Sequence, residues 1–377
     1  MRLIVLLPVL VLWPLNGTAT AAVGLTAPGL HALHLPGNGI VIDPNTHIPG
    51  LVAAKTPRKE LSVRSDPHPA ARVAALKADL QSAENARAEA SAAVGVILGL
   101  LAVLAVFTRA PALARAAVLY APAAIALGLA WRSALAIGFG ALALALVAGL
   151  SRRAFVPLLV LVFAGALLVL WHWPVTNALA TIGPHPDGGH RFYGVTNQVE
   201  TMLLAPALAG APLTAPLVLV AIGWSRAGAD GGGLITYASG YAMLALRAYG
   251  RLTPRRVVLA AAIVLGLGIA LVAADAATGG SSHVTHALRG GIFGDLAHRW
   301  RVSYDGATRN VGAFIEFASG ILLLVAVARA RPRPPLVDAM LVALVVSFVV
   351  NDTPQDVALW GALGAIALLA FERSRVG

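Results

Sequence analysis

Long apolar segments separated by short polar connectors recur along most of the chain. A helix needs roughly 20 predominantly apolar residues to cross a bilayer, with about 17 as the usual lower limit. The segments that approach or meet this length are 92–108, 116–131, 134–150, 154–171, 233–246, 257–274, 311–328, 336–350 and 357–371. The pattern predicts an all-α fold, with a polytopic helical transmembrane bundle over residues 92–377.

Residues 201–224 form an apolar stretch of a different kind, because Pro206, Gly210, Pro212 and Pro216 interrupt it. Proline inside a helix removes a hydrogen bond and clashes with the preceding turn. We predict a broken helical hairpin that turns near Pro212. It would either cross twice or re-enter from one side, where protein or a water-filled cavity shields its backbone. The bundle then has about ten or eleven membrane segments.

Residues 1–22 have the pattern of an export signal. Arg2 supplies the positive start, residues 3–15 are apolar, and residues 19–21 read Ala-Thr-Ala, a cleavage site of small residues. A cleaved signal peptide and an uncleaved signal anchor both fit this pattern. Either would place the following segment, residues 23–91, outside the cell membrane.

This predicted extracytoplasmic segment, residues 23–91, has two halves of different composition. The first is rich in turn residues, with 40–42 as one short strand. Val73, Leu76 and Leu80 then recur at helical spacing, which predicts a charged helix running without interruption into the first span. The segment is too small to bury a sizeable core alone, so we expect it to rest on the transmembrane domain or on a partner.

Composition strengthens the membrane assignment. Of the 377 residues, 58% are apolar and 12% are charged, and the mean hydropathy is +0.79. A soluble chain is about half apolar and about a quarter charged. A soluble enzyme, a disordered chain and a fibrous chain are therefore excluded. The chain has no cysteine, which excludes a disulfide framework, an iron–sulfur centre and a thiol nucleophile.

The net charge of +11 would fit a nucleic-acid binder, but the positions of the arginines argue against nucleic acid as a partner. With residues 23–91 outside, arginine concentrates in the connectors predicted to face the cytoplasm, as the positive-inside rule requires. Those arginines are Arg109, Arg115, Arg152, Arg153, Arg247, Arg251, Arg255, Arg256, Arg329, Arg331, Arg333, Arg373 and Arg375. The charge predicts a multi-pass protein of the bacterial plasma membrane with a cytoplasmic C-terminus.

Polar residues of the predicted outer connectors form a candidate substrate-binding set, joined by one carboxylate inside a span. Glu316 is that carboxylate, and a charge inside a span is costly and usually functional. Four residues of the outer connectors also have a structural interpretation. Asn197 and Glu200 resemble a capping box. Asp230, before three glycines, and Asp352, before Thr-Pro, resemble helix starts. The full set is Arg191, Tyr193, Asn197, Glu200, Asp230, His283, Arg289, Glu316, Asn351 and Asp352.

Histidines in the same connectors lead to a metal hypothesis. His283 and His286 are three residues apart and would share a helical face. His185, Asp187 and His190 would add ligands suited to zinc or another divalent metal in tetrahedral coordination. The alternative is that these are ordinary solvated side chains of a loop. The sequence indicates no other cofactor.

Four short strings follow one another along the chain: Arg-Phe-Tyr-Gly-x-x-Asn at 191–197, Gly-Ala-Asp-Gly-Gly at 228–232, Ser-His-Val at 282–284 and Asn-Asp-Thr at 351–353. They resemble the signature segments of a family of uncharacterised bacterial multi-spanning membrane proteins, which typically read R-[FY]-Y-G-x-G-N-E, G-A-N-x-G-G, S-H and N-D-S. This chain departs from the family pattern at two positions: Thr196 replaces a glycine, and Gln198, directly after the first string, replaces the acid, with Glu200 two places further on. The resemblance implies a membrane location and the topology described above.

Three function hypotheses from different classes follow. The first is a carrier or flippase for an anionic or lipid-linked substrate, in which the hairpin gates an outward vestibule and Glu316 carries a proton; broken helices and a buried acid favour it. The second is an extracytoplasmic enzyme that processes a glycan or phosphate headgroup, with Glu200, Asp187 or His283 as acid or base. The third is a non-catalytic assembly or sensing component that binds an envelope protein through residues 68–91. The lipid bilayer is a partner in all three.

Overall fold

The computed structural model describes residues 21–27, 29–44, 46–53, 56–183, 194–224, 226–228, 230–250, 253–277, 300–301 and 303–376. Within these residues the chain forms a small β-sheet followed by a bundle of helices. The predicted helical bundle is therefore confirmed for the larger part of the chain. Nearly all of the predicted export signal, and the central parts of the two longest predicted connectors (184–193 and 278–299), lie outside the described residues.

Five short strands form the sheet: β1 (Ala21–Ala27), β2 (His31–Pro36), β3 (Gly39–Ile42), β4 (Leu51–Ala53) and β5 (Ser62–Arg64). β1 pairs with β2 in antiparallel orientation and with β3 and β4 in parallel, and β5 pairs with β3. Only β3 corresponds to the predicted strand, so an all-α description of the chain is incomplete. β1 also includes the last two residues of the predicted export signal.

The longest helix, α1 (Pro69–Thr108), belongs to both the sheet and the bundle. Val73, Leu76 and Leu80 are buried in one cluster with side chains of the sheet. The predicted uninterrupted helix and its apolar stripe are therefore confirmed. The same cluster includes the short helix α5 (Pro174–Ala178), so the sheet rests on the bundle as expected.

The remaining helices are α2 (Pro111–Gly128), α3 (Ala134–Leu150), α4 (Phe155–His172), α6 (Asn197–Ala209), α7 (Ala215–Gly223), α8 (Gly231–Ala248), α9 (Pro254–Ala277), α10 (Val311–Arg329), α11 (Pro335–Val350) and α12 (Pro354–Val376). Every predicted apolar segment corresponds to one helix. Among the described residues, α1, α2, α4, α10 and α12 are long and apolar enough to cross a membrane, and α3 and α11 are apolar but shorter.

Small residues let the helices approach one another closely within the bundle. Gly320 of α10 lies against the backbone of α12 at Ala358, and Gly149 of α3 lies against the first turn of α2. The core consists mainly of alanine, leucine and valine. Within it, the buried Tyr120 hydroxyl donates to the Gly138 carbonyl (3.2 Å).

The proline-interrupted stretch forms helices α6 and α7, joined by a short turn. The turn lies far from the sheet, because Ala211 lines a cavity of about 290 Å³ together with Pro335 and Glu372. The chain then returns, since the Val195 amide before α6 donates to the Gly228 carbonyl after α7 (2.9 Å). The predicted broken hairpin is confirmed, and it crosses the bundle.

The bundle has two ends of different chemistry. At the sheet end, α6, α8 and α12 begin and α2, α4 and α11 end. At the opposite, arginine end, Arg115 Nε donates to the Gly149 carbonyl (2.7 Å), and Arg247 and Arg333 both pair with Asp338. Connectors that the sequence assigns to one side of a membrane therefore meet at one end of the structure.

Candidate functional site

Three helices begin side by side at the sheet end. Thr196 caps α6, its Oγ1 accepting from the Val199 amide (3.4 Å). Asp230 caps α8, its Oδ1 accepting from the Gly233 amide (3.1 Å). α12 begins at Pro354. Because the N-terminus of a helix carries partial positive charge, acidic side chains are stabilised at this place.

The structure separates the predicted helix starts into two groups. Those at Asp230 and Pro354 are confirmed. The capping box of Asn197 and Glu200 is not formed, because Thr196 takes the capping position one residue earlier. The side chains of Asn197 and Glu200 bind other helices instead.

Glu200 lies at the centre of a buried set of polar side chains. It is 0% exposed, and both its carboxylate oxygens accept from Nδ2 of Asn351, at 3.2 and 3.0 Å. Ser347 Oγ, one turn earlier on α11, accepts from the same nitrogen (2.7 Å). The Tyr237 hydroxyl of α8 donates to the Glu200 carbonyl (2.6 Å). Burial of a carboxylate is costly unless it is hydrogen-bonded, and Asn351 at the end of α11 supplies hydrogen bonds to this one, whereas Tyr237 of α8 binds the main chain of Glu200.

Two glycines bring the start of α8 against these side chains. A methyl group at Gly232 would overlap Oδ1 of Asn351, and one at Gly233 would lie 3.0 Å from the Glu200 carboxylate. Glycine allows this close approach because it has no side chain. Asp230 is also buried, 3% exposed, and binds the amide of the same Gly233. The two acids therefore adjoin one helix start.

A further contact at the surface joins the starts of α6 and α12. Nδ2 of Asn197 donates to Oδ1 of the exposed Asp352 (2.5 Å). On the other side of α6, Nε2 of Gln198 donates to Oγ of Ser91 on α1 (2.9 Å). These two contacts connect the beginning of the hairpin to α1, the longest helix, and to the start of α12, the last helix. We call the connected set the polar cluster: Asn197, Glu200, Asp230, Tyr237, Ser347, Asn351 and Asp352.

Glu316 lies on α10, half-buried, next to the polar cluster. Asp356, in the first turn of α12, is within electrostatic range of Glu316 and also of Asp352. Asn310 caps α10, with its Oδ1 accepting from the Ala313 amide (2.8 Å). Acidic side chains from α6, α8, α10 and α12 thus gather at the sheet end.

The structure brings together six members of the predicted substrate-binding set: Asn197, Glu200, Asp230, Glu316, Asn351 and Asp352. The other four, Arg191, Tyr193, His283 and Arg289, lie outside the described residues. So do the five predicted metal ligands, His185, Asp187, His190, His283 and His286. Within the described part of the chain, no three histidine, cysteine, aspartate or glutamate side chains come together as a metal would require.

Three residues that matter to these sites carry no clear signal in the sequence. Ser347 and Tyr237 belong to apolar helices and are recognisable only from their partners in other helices. Asp338 is the third: at the arginine end its carboxylate binds Arg247 Nε (3.2 Å) and Arg333 Nε (2.9 Å). An acid at the start of the predicted span 336–350, next to the arginines of the preceding connector, is only a weak signal for this ion group.

No protein-family model, no curated protein and no solved structure matches this chain. Its function is therefore argued from the geometry and chemistry of its own residues.

Proposed function

We propose that the chain is an integral membrane protein with its bundle in the bilayer and its sheet on the extracytoplasmic side. Five apolar helices of sufficient length support this location. So do large apolar side chains on the outside of the bundle, among them Leu100, Val147, Leu161 and Leu322, which are 67%, 70%, 66% and 70% exposed. Exposure of such a surface to water is unfavourable, whereas lipid chains would cover it. Tryptophans at the sheet end and arginines at the other end match the two interfaces of a membrane.

We further propose that the protein is a carrier or flippase for an anionic or lipid-linked substrate, with the polar cluster as its exchange site. The observation that carries this proposal is the wholly buried carboxylate of Glu200 in the first turn of a broken hairpin, held by Asn351 of another helix. An ionisable group at such depth is expensive, and an apolar side chain would fill the same space without that cost.

The chemistry of the polar cluster suits a site at which Glu200 takes up a proton and a negatively charged group of the substrate then binds. An ionised Glu200 only accepts hydrogen bonds, whereas a protonated one also donates. Once Glu200 is neutral, the surrounding helix starts favour another anionic group, such as a phosphate of the substrate. Interrupted helices supply binding sites of this kind within membrane bundles. In this chain, the turn between α6 and α7 divides the hairpin into two short helices.

Flipping of a fluorescent lipid tests this proposal. The protein is reconstituted in vesicles of phosphatidylcholine and phosphatidylglycerol with a trace of NBD-labelled phosphatidylglycerol, and external dithionite then bleaches the probe in the outer leaflet. We expect the wild-type protein to expose the inner-leaflet probe as well. The Glu200→Gln variant should slow this exposure at least about tenfold, because glutamine keeps the size of the side chain but takes up no proton.

Glu89→Gln is the matched control, since it removes an exposed acid of α1 that is not part of the polar cluster. This variant should flip the probe at the wild-type rate. Two results would contradict the proposal. One is wild-type exposure no faster than in protein-free vesicles, and the other is a Glu200→Gln rate equal to that of the control.

A further inference from the structure

A cavity of about 400 Å³ lies between α2 and α4 at the sheet end, apart from the polar cluster. α6 forms its floor, with Val199 and Leu203, and α2 and α4 form its walls. This volume is within the usual range of small-molecule sites, about 300–1,000 Å³. We call it the α2–α4 groove; its walls include Ile125, Leu129, Leu158, Val162, Gly165 and Val169.

The groove is continuous with the apolar outer surface of the bundle. Leu161 lines it and is 66% exposed. Gly165 leaves a gap in the wall of α4, because a side chain added there would meet no described atom within 4 Å. Both walls belong to helices long and apolar enough to cross a membrane. In the proposed location the groove therefore opens sideways to lipid chains.

Two arginines lie at the end of the groove that is nearest the sheet. Nη1 of Arg132 donates to Thr181 Oγ1 (3.4 Å), next to Ile182, which lines the groove. Nη2 of Arg87 donates to the Ala178 carbonyl (2.9 Å), and its charge is close enough to repel that of Arg132. Glu84 pairs with Arg87, so the group keeps a net positive charge.

Tryptophans flank the same end of the groove. Trp131 precedes Arg132 and is 43% exposed, and Trp171 ends α4 and is 47% exposed. Indole side chains prefer the headgroup level of a bilayer. The order along the groove is therefore an apolar channel, a tryptophan level and then a cationic group, which is the order of tail, interface and phosphate in an anionic lipid.

We propose that the α2–α4 groove binds one hydrocarbon chain of an anionic phospholipid, whose phosphate lies against Arg132. This inference rests on the membrane location proposed above and does not require that the protein flips lipid. It assigns the groove a ligand with an acyl chain and a phosphate. If the flipping proposal also holds, the groove supplies the entry by which the lipid substrate reaches the bundle.

Native mass spectrometry of the purified protein in detergent tests the groove. The protein is mixed with dioleoyl phosphatidylglycerol or with dioleoyl phosphatidylcholine, and the retained lipid is counted. We expect preferential retention of phosphatidylglycerol by the wild-type protein. Gly165→Leu should lower that retention about tenfold, because the new side chain occupies the groove, starting from a position where an added Cβ atom meets nothing within 4 Å. Gly266→Leu on α9 is the control, since that position is equally open but remote from the groove.

Arg132→Gln separates the two parts of the site. It should abolish the preference for phosphatidylglycerol over phosphatidylcholine while the retained phosphatidylcholine stays unchanged. Equal retention of the two lipids by the wild-type protein would overturn the role of Arg132. Equal retention by Gly165→Leu and Gly266→Leu would overturn the groove as the tail site, as would retention of no lipid by the wild-type protein. Lipid retention without flipping would leave this inference intact and overturn the proposed function alone.

Discussion

At the scale of single residues, the polar cluster depends on short distances between helices. Gly232 shows this most clearly, because Asn351 occupies the space that any side chain at this position would need. Asn351 in turn connects Glu200 with Ser347. One glycine therefore sets how close the start of α8 lies to the end of α11.

We expect Gly232→Ala to destabilise the protein by about 1–3 kcal/mol, the usual cost of forcing extra atoms into a packed site. The midpoint of unfolding in detergent measures this loss. Gly268→Ala is the control, because a methyl group there would lie 3.9 Å from its nearest neighbour, Ile235 Cγ1, an ordinary contact. Alanine favours a helix over glycine, so the control should be neutral or stabilising. Equal midpoints for the two variants would show that the packing at Gly232 is loose.

The residues of the site were only partly predictable from sequence. Glu200, Asp230 and Asn351 stand out because polar side chains next to apolar helices are conspicuous. That Asn351 binds Glu200 was not predictable, because the pair depends on how α6 and α11 lie side by side. Ser347 was missed for the same reason, since one serine in an apolar helix is ordinary until its neighbours are known.

At the scale of elements, periodicity identified helices well and strands poorly. The helices carry long apolar runs, whereas β1 to β5 are three to seven residues long and amid turn residues. The sheet forms because the strands pair with one another and pack on the apolar stripe of α1. That stabilisation comes from distant contacts, which no local pattern reports.

The apolar stripe of α1 leads to a prediction about the sheet. Leu80 is 1% exposed within the cluster that joins α1 to the strands. Leu80→Ala should destabilise the sheet by about 2–5 kcal/mol, the cost of a cavity in a core. Limited trypsin digestion measures this, since cleavage between Arg58 and Arg64 should become faster. Leu100→Ala is the control in the same helix, because Leu100 is 67% exposed, and it should leave the digestion rate unchanged. Equal rates would show that the sheet does not depend on α1.

At the scale of the whole molecule, composition and arginine placement predicted the class of fold and the grouping of connectors. Both properties are averages over many residues, so one unusual residue changes the prediction very little. Proline and glycine spacing predicted the hairpin, because those residues interrupt helices wherever they stand. The groove between α2 and α4 was not predictable, because a cavity is set by how helices splay apart and no single residue encodes it.

The orientation of the whole molecule is tested best around α3, a short predicted span with a serine at each end. Its 17 residues extend about 25 Å at 1.5 Å per residue, slightly less than the roughly 30 Å of a hydrocarbon core. Ser133 precedes α3 at the sheet end, and Ser151 follows it at the arginine end; both are exposed. Because the chain has no native cysteine, a single cysteine at either position reports its side without background.

We expect Ser133→Cys to react with a membrane-impermeant maleimide on intact cells, and Ser151→Cys to react only after lysis. The reason is that Arg152 and Arg153 hold the Ser151 end in the cytoplasm through the positive-inside effect. Ser62→Cys, in β5 of the sheet, is a second reporter and should label together with Ser133→Cys. Labelling of Ser151→Cys alone would invert the orientation. Labelling of Ser133→Cys and Ser151→Cys alike on intact cells would show that α3 does not cross the membrane, which would move every later connector to the other side.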